Sequence, residues 1–135
     1  MRVLKMGIVV ACLLLLVCSF APDEKPWNIP AEYLSKTNPY EVSNQEMVKV
    51  GKMQYARHCK SCHGNLGQGN GPKARSLEAD IEDFTTAEFQ NQKDGVLYYQ
   101  SFVGRDEMPN FEKKIVDDED RWALITYLRT LKKCK

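Results

Sequence analysis

Histidine is scarce in this chain: His58 and His63 are its two imidazoles among 135 residues. A structural zinc site takes four tetrahedral ligands, usually from two separated pairs. Here both histidines flank one short cysteine loop, which cannot wrap a tetrahedron. Excess charge of either sign is missing too. Nineteen Lys and Arg face 18 Asp and Glu, for a formal charge of +1, so nucleic acid is not an expected partner. No apolar run reaches the ~20 residues of a membrane-spanning helix. The longest, from Gly7 to Ala21 behind Arg2 and Lys5, has the charged start and short apolar body of a secretory signal. The glycine-rich stretch Gly64 to Pro72 lacks a preceding strand and a Gly-Lys-Ser/Thr ending, which argues against a phosphate-binding loop.

What is present is Cys59-Lys60-Ser61-Cys62-His63. At C-x-x-C-H spacing, two thiols can bond haem vinyl groups while the next imidazole reaches the iron. Two thioethers fix the porphyrin edge to one turn of backbone, and the adjacent histidine then points at the metal. A thioredoxin-like dithiol is the competing reading, but it belongs near a strand-helix-strand pattern. Here a glycine-rich loop and helical segments follow. The motif therefore reads as attachment of one haem c through Cys59 and Cys62.

Export fits that reading, because covalent haem attachment in bacteria takes place outside the cytoplasmic membrane. The expected location is the periplasmic side of a bacterial membrane. Residues 1–21 are read as a signal or anchor. Lipidation at Cys18 ranks ahead of cleavage after Ala21, which would leave Pro22 beyond the cut, and of an uncleaved short anchor. Removing Arg2 and Lys5 leaves 17 basic side chains against 18 acidic ones. Of five cysteines, Cys12 and Cys18 lie in the signal and two serve the haem, leaving Cys134 as an unpaired bystander near the end. The remaining ~110 residues suffice for a single domain.

Residues 22–42, with Pro22, Pro26, Pro30 and Pro39, read as an extended leader or tether. Trp27 and Tyr33 either dock on the domain or punctuate a linker. The domain itself is placed at 43–135. Ser43-Asn44-Gln45-Glu46 has the form of a capping box that starts a helix. Met47, Val50, Gly51, Gln54, Tyr55 and Cys59 follow at spacings of three and four, a stripe that leads into the cysteine motif. Asp94 is expected to cap a helix through Val96, Leu97, Tyr98 and Phe102 that ends at Gly104. Asp117 or Asp118 is expected to cap a final helix through Trp122, Leu124, Ile125, Tyr127, Leu128 and Leu131, closing on Lys132 and Lys133. The many glycines after His63 suggest close backbone approach to a porphyrin.

Taken in order, Gly51-x-x-x-Tyr55, Cys59-Lys60-Ser61-Cys62-His63-Gly64, Gly69-Asn70-Gly71-Pro72, Met108-Pro109 and the Trp122 to Leu131 segment make the chain resemble a class I cytochrome c of the small bacterial monohaem group. The resemblance spans about Glu46 to Leu131. It implies an all-α cytochrome c fold of three to five short helices around one covalently attached haem. It further implies His63 as proximal ligand, Met108 as sixth ligand, and the Pro72 carbonyl as acceptor from the far nitrogen of His63. Gly51 would let Tyr127 of the last helix approach the first. Met108 passes an independent comparison with the other methionines. Met1 and Met6 leave with the signal, Met47 lies on the buried stripe, and Met53 shares the helix that positions the proximal side. Pro109 biases Met108 to an extended backbone that can drape over a haem edge.

His/Met ligation raises the reduction potential and fills both axial positions. The expected function is that of a one-electron carrier in a periplasmic or membrane-surface respiratory chain, not of an enzyme. Its partners would be a redox donor and an acceptor, met through transient docking as a monomer. Two alternatives stand beside it: a haem subunit of a larger oxidoreductase, with the Trp27 to Tyr40 leader as a docking strap, and a sensor or enzyme with a labile distal ligand. Lys49, Lys52, Arg57, Lys60, Lys73 and Arg75 form a candidate basic collar for an acidic partner. The acidic run Glu78, Asp80, Glu82 and Asp83 opposes it, so partner polarity stays open.

Overall fold

The computed structural model describes residues 26–133. The expected signal, the lipidation candidate Cys18 and the unpaired Cys134 lie outside them. Six α-helices and one 3-10 turn occur among the described residues, without a named strand. They are α1 Ala31–Leu34, α2 Gln45–His58, α3 Lys60–His63, α4 Ala87–Gln90, α5 Asp94–Phe102 and α6 Asp118–Thr130, with the 3-10 turn at Ala74–Ser76. The all-α expectation holds; the elements beyond the expected long helices are the single turns α1, α3 and α4. None of the described helices is long and apolar enough to cross a membrane.

The long helices α2 and α6 pack directly on each other, and glycine sets how closely. A Cβ on Gly51 would lie 2.0 Å from the Ala123 carbonyl oxygen and 2.8 Å from Cβ of Tyr127. Any larger residue must push the helices apart, at a cost of about 1–3 kcal/mol for overpacking. Of the expected stripe, Gly51 and Tyr55 are buried and Met47, Val50, Gln54 and Cys59 half-buried, while Val48, outside the stripe, also packs on the core. On α6 the whole run from Trp122 to Leu128 is buried, so this helix has neighbours on more than one side, as its wide apolar arc predicts. Tyr55, Leu97, Phe102, Leu124 and Ile125 form the centre of the core.

The helix ends correct three readings. The cap of α2 is Asn44, whose side chain accepts from the Met47 amide at 3.2 Å, while the Ser43 hydroxyl instead lies 3.4 Å from Glu41 Oε2. A turn closed by the Asn44 amide on the Glu41 carbonyl at 3.0 Å places Asn44, one residue later, at the half-helical position a cap occupies. In α5 the capping position is Lys93, not Asp94. The Asp94 carboxylate accepts from Arg129 at 2.6 Å and from the Asn38 amide at 3.1 Å, a tertiary claim that outcompetes a local cap. The last helix ends at Thr130, before Lys132 and Lys133.

The leader is docked rather than a free tether. Tyr33 packs edge-on against Tyr99, with ring centroids 4.9 Å apart, and tilted against Tyr98 at 6.2 Å. The Asn38 side-chain amide donates to Thr126 Oγ1 at 2.9 Å, and the Tyr40 hydroxyl donates to Glu119 at 3.2 Å.

Candidate haem-attachment site

Helix α2 runs into the cysteine motif, and the Cys59 amide still donates to the Tyr55 carbonyl at 2.9 Å. The next turn is separate: the amides of Cys62 and His63 both donate to the Cys59 carbonyl, at 3.1 and 3.0 Å. In one helical turn, residues i, i+3 and i+4 share a face. Cys59, Cys62 and His63 accordingly line a single cavity of about 640 Å³, well within the size range of cofactor sites. Neither cysteine is in a disulfide.

The glycine-rich loop braces this turn. The amides of Gly69, Gly71 and Lys73 donate to the carbonyls of His63, Cys62 and Ser61 at 3.0, 2.9 and 2.9 Å. A Cβ on Gly71 would stand 2.4 Å from the Ser61 carbonyl oxygen. The close approach that Gly71 allows is to the attachment turn itself. The Tyr55 hydroxyl donates to the Gly64 carbonyl at 2.7 Å, tying the turn back to α2. Burial pushes the phenol's pKa upward.

His63 is 8% exposed. Its ring stacks on Phe84, with centroids 4.4 Å apart and planes at 25°, and Phe84 stacks in turn on Phe89 at 4.5 Å. Burial lowers the imidazole pKa to about 4, so at neutral pH the ring carries the lone pair that metal ligation requires. Its Nδ1 is buried without a hydrogen-bond partner. The bond to the Pro72 carbonyl implied by the family resemblance is thus not formed. Gly71 and Lys73 pin the backbone on both sides of Pro72 to the attachment turn, and Pro72 itself is exposed, while Phe84 sets the plane of the ring. Burial, followed by the neighbouring Cys62, pushes the Cys59 thiol up to about 12. Both effects favour the neutral thiol.

Met108 lines the same cavity and packs against the core. Its turn is tighter than an open loop: the Arg105 amide donates to the Met108 carbonyl at 2.9 Å and the Met108 amide to that of Arg105 at 2.8 Å. Met53 is 56% exposed, on the outer face expected for it. Of the proposed basic collar, Arg57 and Lys73 line the cavity, joined by Arg105 and Lys114. Glu78, Asp80, Glu82 and Glu107 line it as well, so the rim is mixed in sign. Phe84, Phe111 and Trp27 also form part of the wall. Sequence reasoning missed Phe84 and Phe111, because an isolated phenylalanine in a loop carries no periodic signal.

The residues fit a covalently held haem: two thiols, an imidazole and a thioether open on one cavity. Fold and motif together define an all-α protein of the c-type haem class. A family model described as cytochrome c matches residues 48–132, and the chain belongs to the cytochrome c family. Membership implies covalently bound haem c and electron transfer. Among solved structures, the chain is similar to the Kuenenia stuttgartiensis reducing HAO-like protein complex Kustc0457/Kustc0458, at 30% identity and a TM-score of 0.60. That match covers 67% of this chain but only 46% of the other. It is also similar to the KustC0563 c-type cytochrome, at 32% identity and a TM-score of 0.52, over 62% of this chain and 98% of that one. No curated protein matches the chain.

Proposed function

We propose that this chain is a one-electron carrier holding a single haem c through Cys59 and Cys62, with His63 and Met108 as axial ligands. The observation that carries the reading is that Met108, distant in sequence, lines the same cavity as all three residues of the attachment turn. When bound, the haem supplies an iron that exchanges one electron between ferric and ferrous states. The chain's own contribution is to hold that site without rearrangement. The braced turn fixes the thiols and the imidazole, and Phe84, Phe89 and Phe111 limit water at the cavity wall. With His63 and Met108 holding the iron, the soft thioether would favour the ferrous state and raise the potential, and no ligand position would be left for a substrate. We place the carrier on the periplasmic side of a bacterial membrane, exported by residues 1–21 and anchored by lipid at Cys18.

A second reading, a fixed haem subunit of a larger oxidoreductase, draws support from the likeness to a chain of an HAO-like complex. The docked leader, with Trp27 and Tyr33 spent on the chain's own domain, gives less support to the idea of a free docking strap. Purification under mild conditions separates the two: a carrier elutes alone, a subunit with its enzyme.

The ligand set is tested by the absorption spectrum of the ferric holoprotein. The weak long-wavelength sulfur-to-iron band is expected in the wild type and absent in Met108→Ala. A wild-type spectrum without that band would move a sensor or catalytic haem ahead of the carrier.

A further inference from the structure

One cavity-wall residue has no place in the haem motif. Trp27 comes from the leader, and its ring lies directly beneath the Arg105 guanidinium, whose carbon is 4.0 Å from the ring centroid. Tyr99 of α5 supports the indole edge-on at 6.3 Å. Arg105 opens the four-residue turn that ends at Met108, and two reciprocal backbone hydrogen bonds join these residues. A restraint on the Arg105 side chain is therefore passed to the backbone of Met108. The same turn is held from its other side by Glu107, whose carboxylate accepts from the amides of Glu78 and Ala79 at 2.9 and 2.7 Å.

We propose that Trp27 is a positioning residue for the sixth ligand: its stack with Arg105 holds the Met108 turn against the cavity. The proposal rests on the reading of Met108 as axial ligand. The leader itself is anchored on α5 and α6 through Tyr33 and Asn38, so the indole is a fixed support and not a loose strap. A cation–π stack in a partly buried setting is strong enough to shift an equilibrium between closed and open turn by about tenfold. Only the open turn admits an added ligand, so apparent affinity for that ligand rises in proportion to the open fraction.

The test is titration of ferric holoprotein with imidazole, followed by bleaching of the sulfur-to-iron band, together with thermal melting. Trp27→Ala is expected to bind imidazole about tenfold more tightly than the wild type. Arg105→Gln should match it, the double variant should go no further, and Trp27→Phe, which keeps a ring, should stay near the wild type. If Trp27→Ala and Arg105→Gln melt earlier yet bind imidazole as the wild type does, Trp27 is structural only and the proposal fails. Should Trp27→Ala not mature, Arg105→Gln alone decides by the same criterion. A wild type that lacks the band and binds imidazole as Met108→Ala does overturns the ligand reading itself, an outcome distinct from the failure of the clamp.

Discussion

Tyr98 shows how much of this domain's polar chemistry is packed into single side chains. It is 4% exposed, donates to Asp118, and accepts from Arg121 at 3.1 Å. Burial pushes its pKa from an ordinary 10 up to about 12; the bond to Asp118 adds to the rise and Arg121 opposes it. An acid whose folded pKa is raised is favoured in its neutral form. Its contribution to stability is complete below pH 10 and is lost as pH climbs from 10 through 12. Urea unfolding at pH 8 and pH 11 should show a marked loss for the wild type and a smaller one for Tyr98→Phe. At pH 8 that variant should already be about 1 kcal/mol less stable for want of the hydrogen bond. At this scale the sequence was readable where chemistry is written into a motif, as at Cys59, Cys62 and His63. It was silent on Phe84, whose stacking on His63 depends on how a loop folds back.

Helices here were legible by periodicity, and their ends less so, because several residues near each end are chemically able to cap. Ser43 and Asn44 both suit a cap; the turn from Glu41 to Asn44 decides between them. Asn44→Ala should therefore cost about 1 kcal/mol of stability by thermal or urea unfolding, while Ser43→Ala should leave the midpoint nearly unchanged. An equal loss from both would restore the capping box. The approach of α2 to α6 was foreseen at Gly51 because a residue without a side chain on a buried stripe invites a neighbour. Which atoms come close, the Ala123 carbonyl and the Tyr127 Cβ, is a matter of register that no single helix contains.

Across the whole molecule, Asp94 joins three parts of the chain: its carboxylate accepts from Asn38 of the leader and from Arg129 of α6, and it stands at the start of α5. Asp94→Ala leaves the Arg129 guanidinium, 17% exposed in its side chain, without its carboxylate, though it still donates to the carbonyls of Gln90 and Gln92. A loss of about 1–3 kcal/mol is expected, with faster proteolysis within the leader than in the helices; an unchanged cleavage pattern would show that Tyr33 and Trp27 hold the leader by themselves. By itself, the sequence determined the all-α class, the attachment motif and the stripe that leads into it, because those depend on spacing along one chain. The resemblance names Met108 beside His63, and the fold brings both to one cavity; only the tertiary structure decided that the leader is docked and that the glycine loop braces the attachment turn. These depend on which distant segments exclude water together, and a spacing rule within one segment cannot encode that.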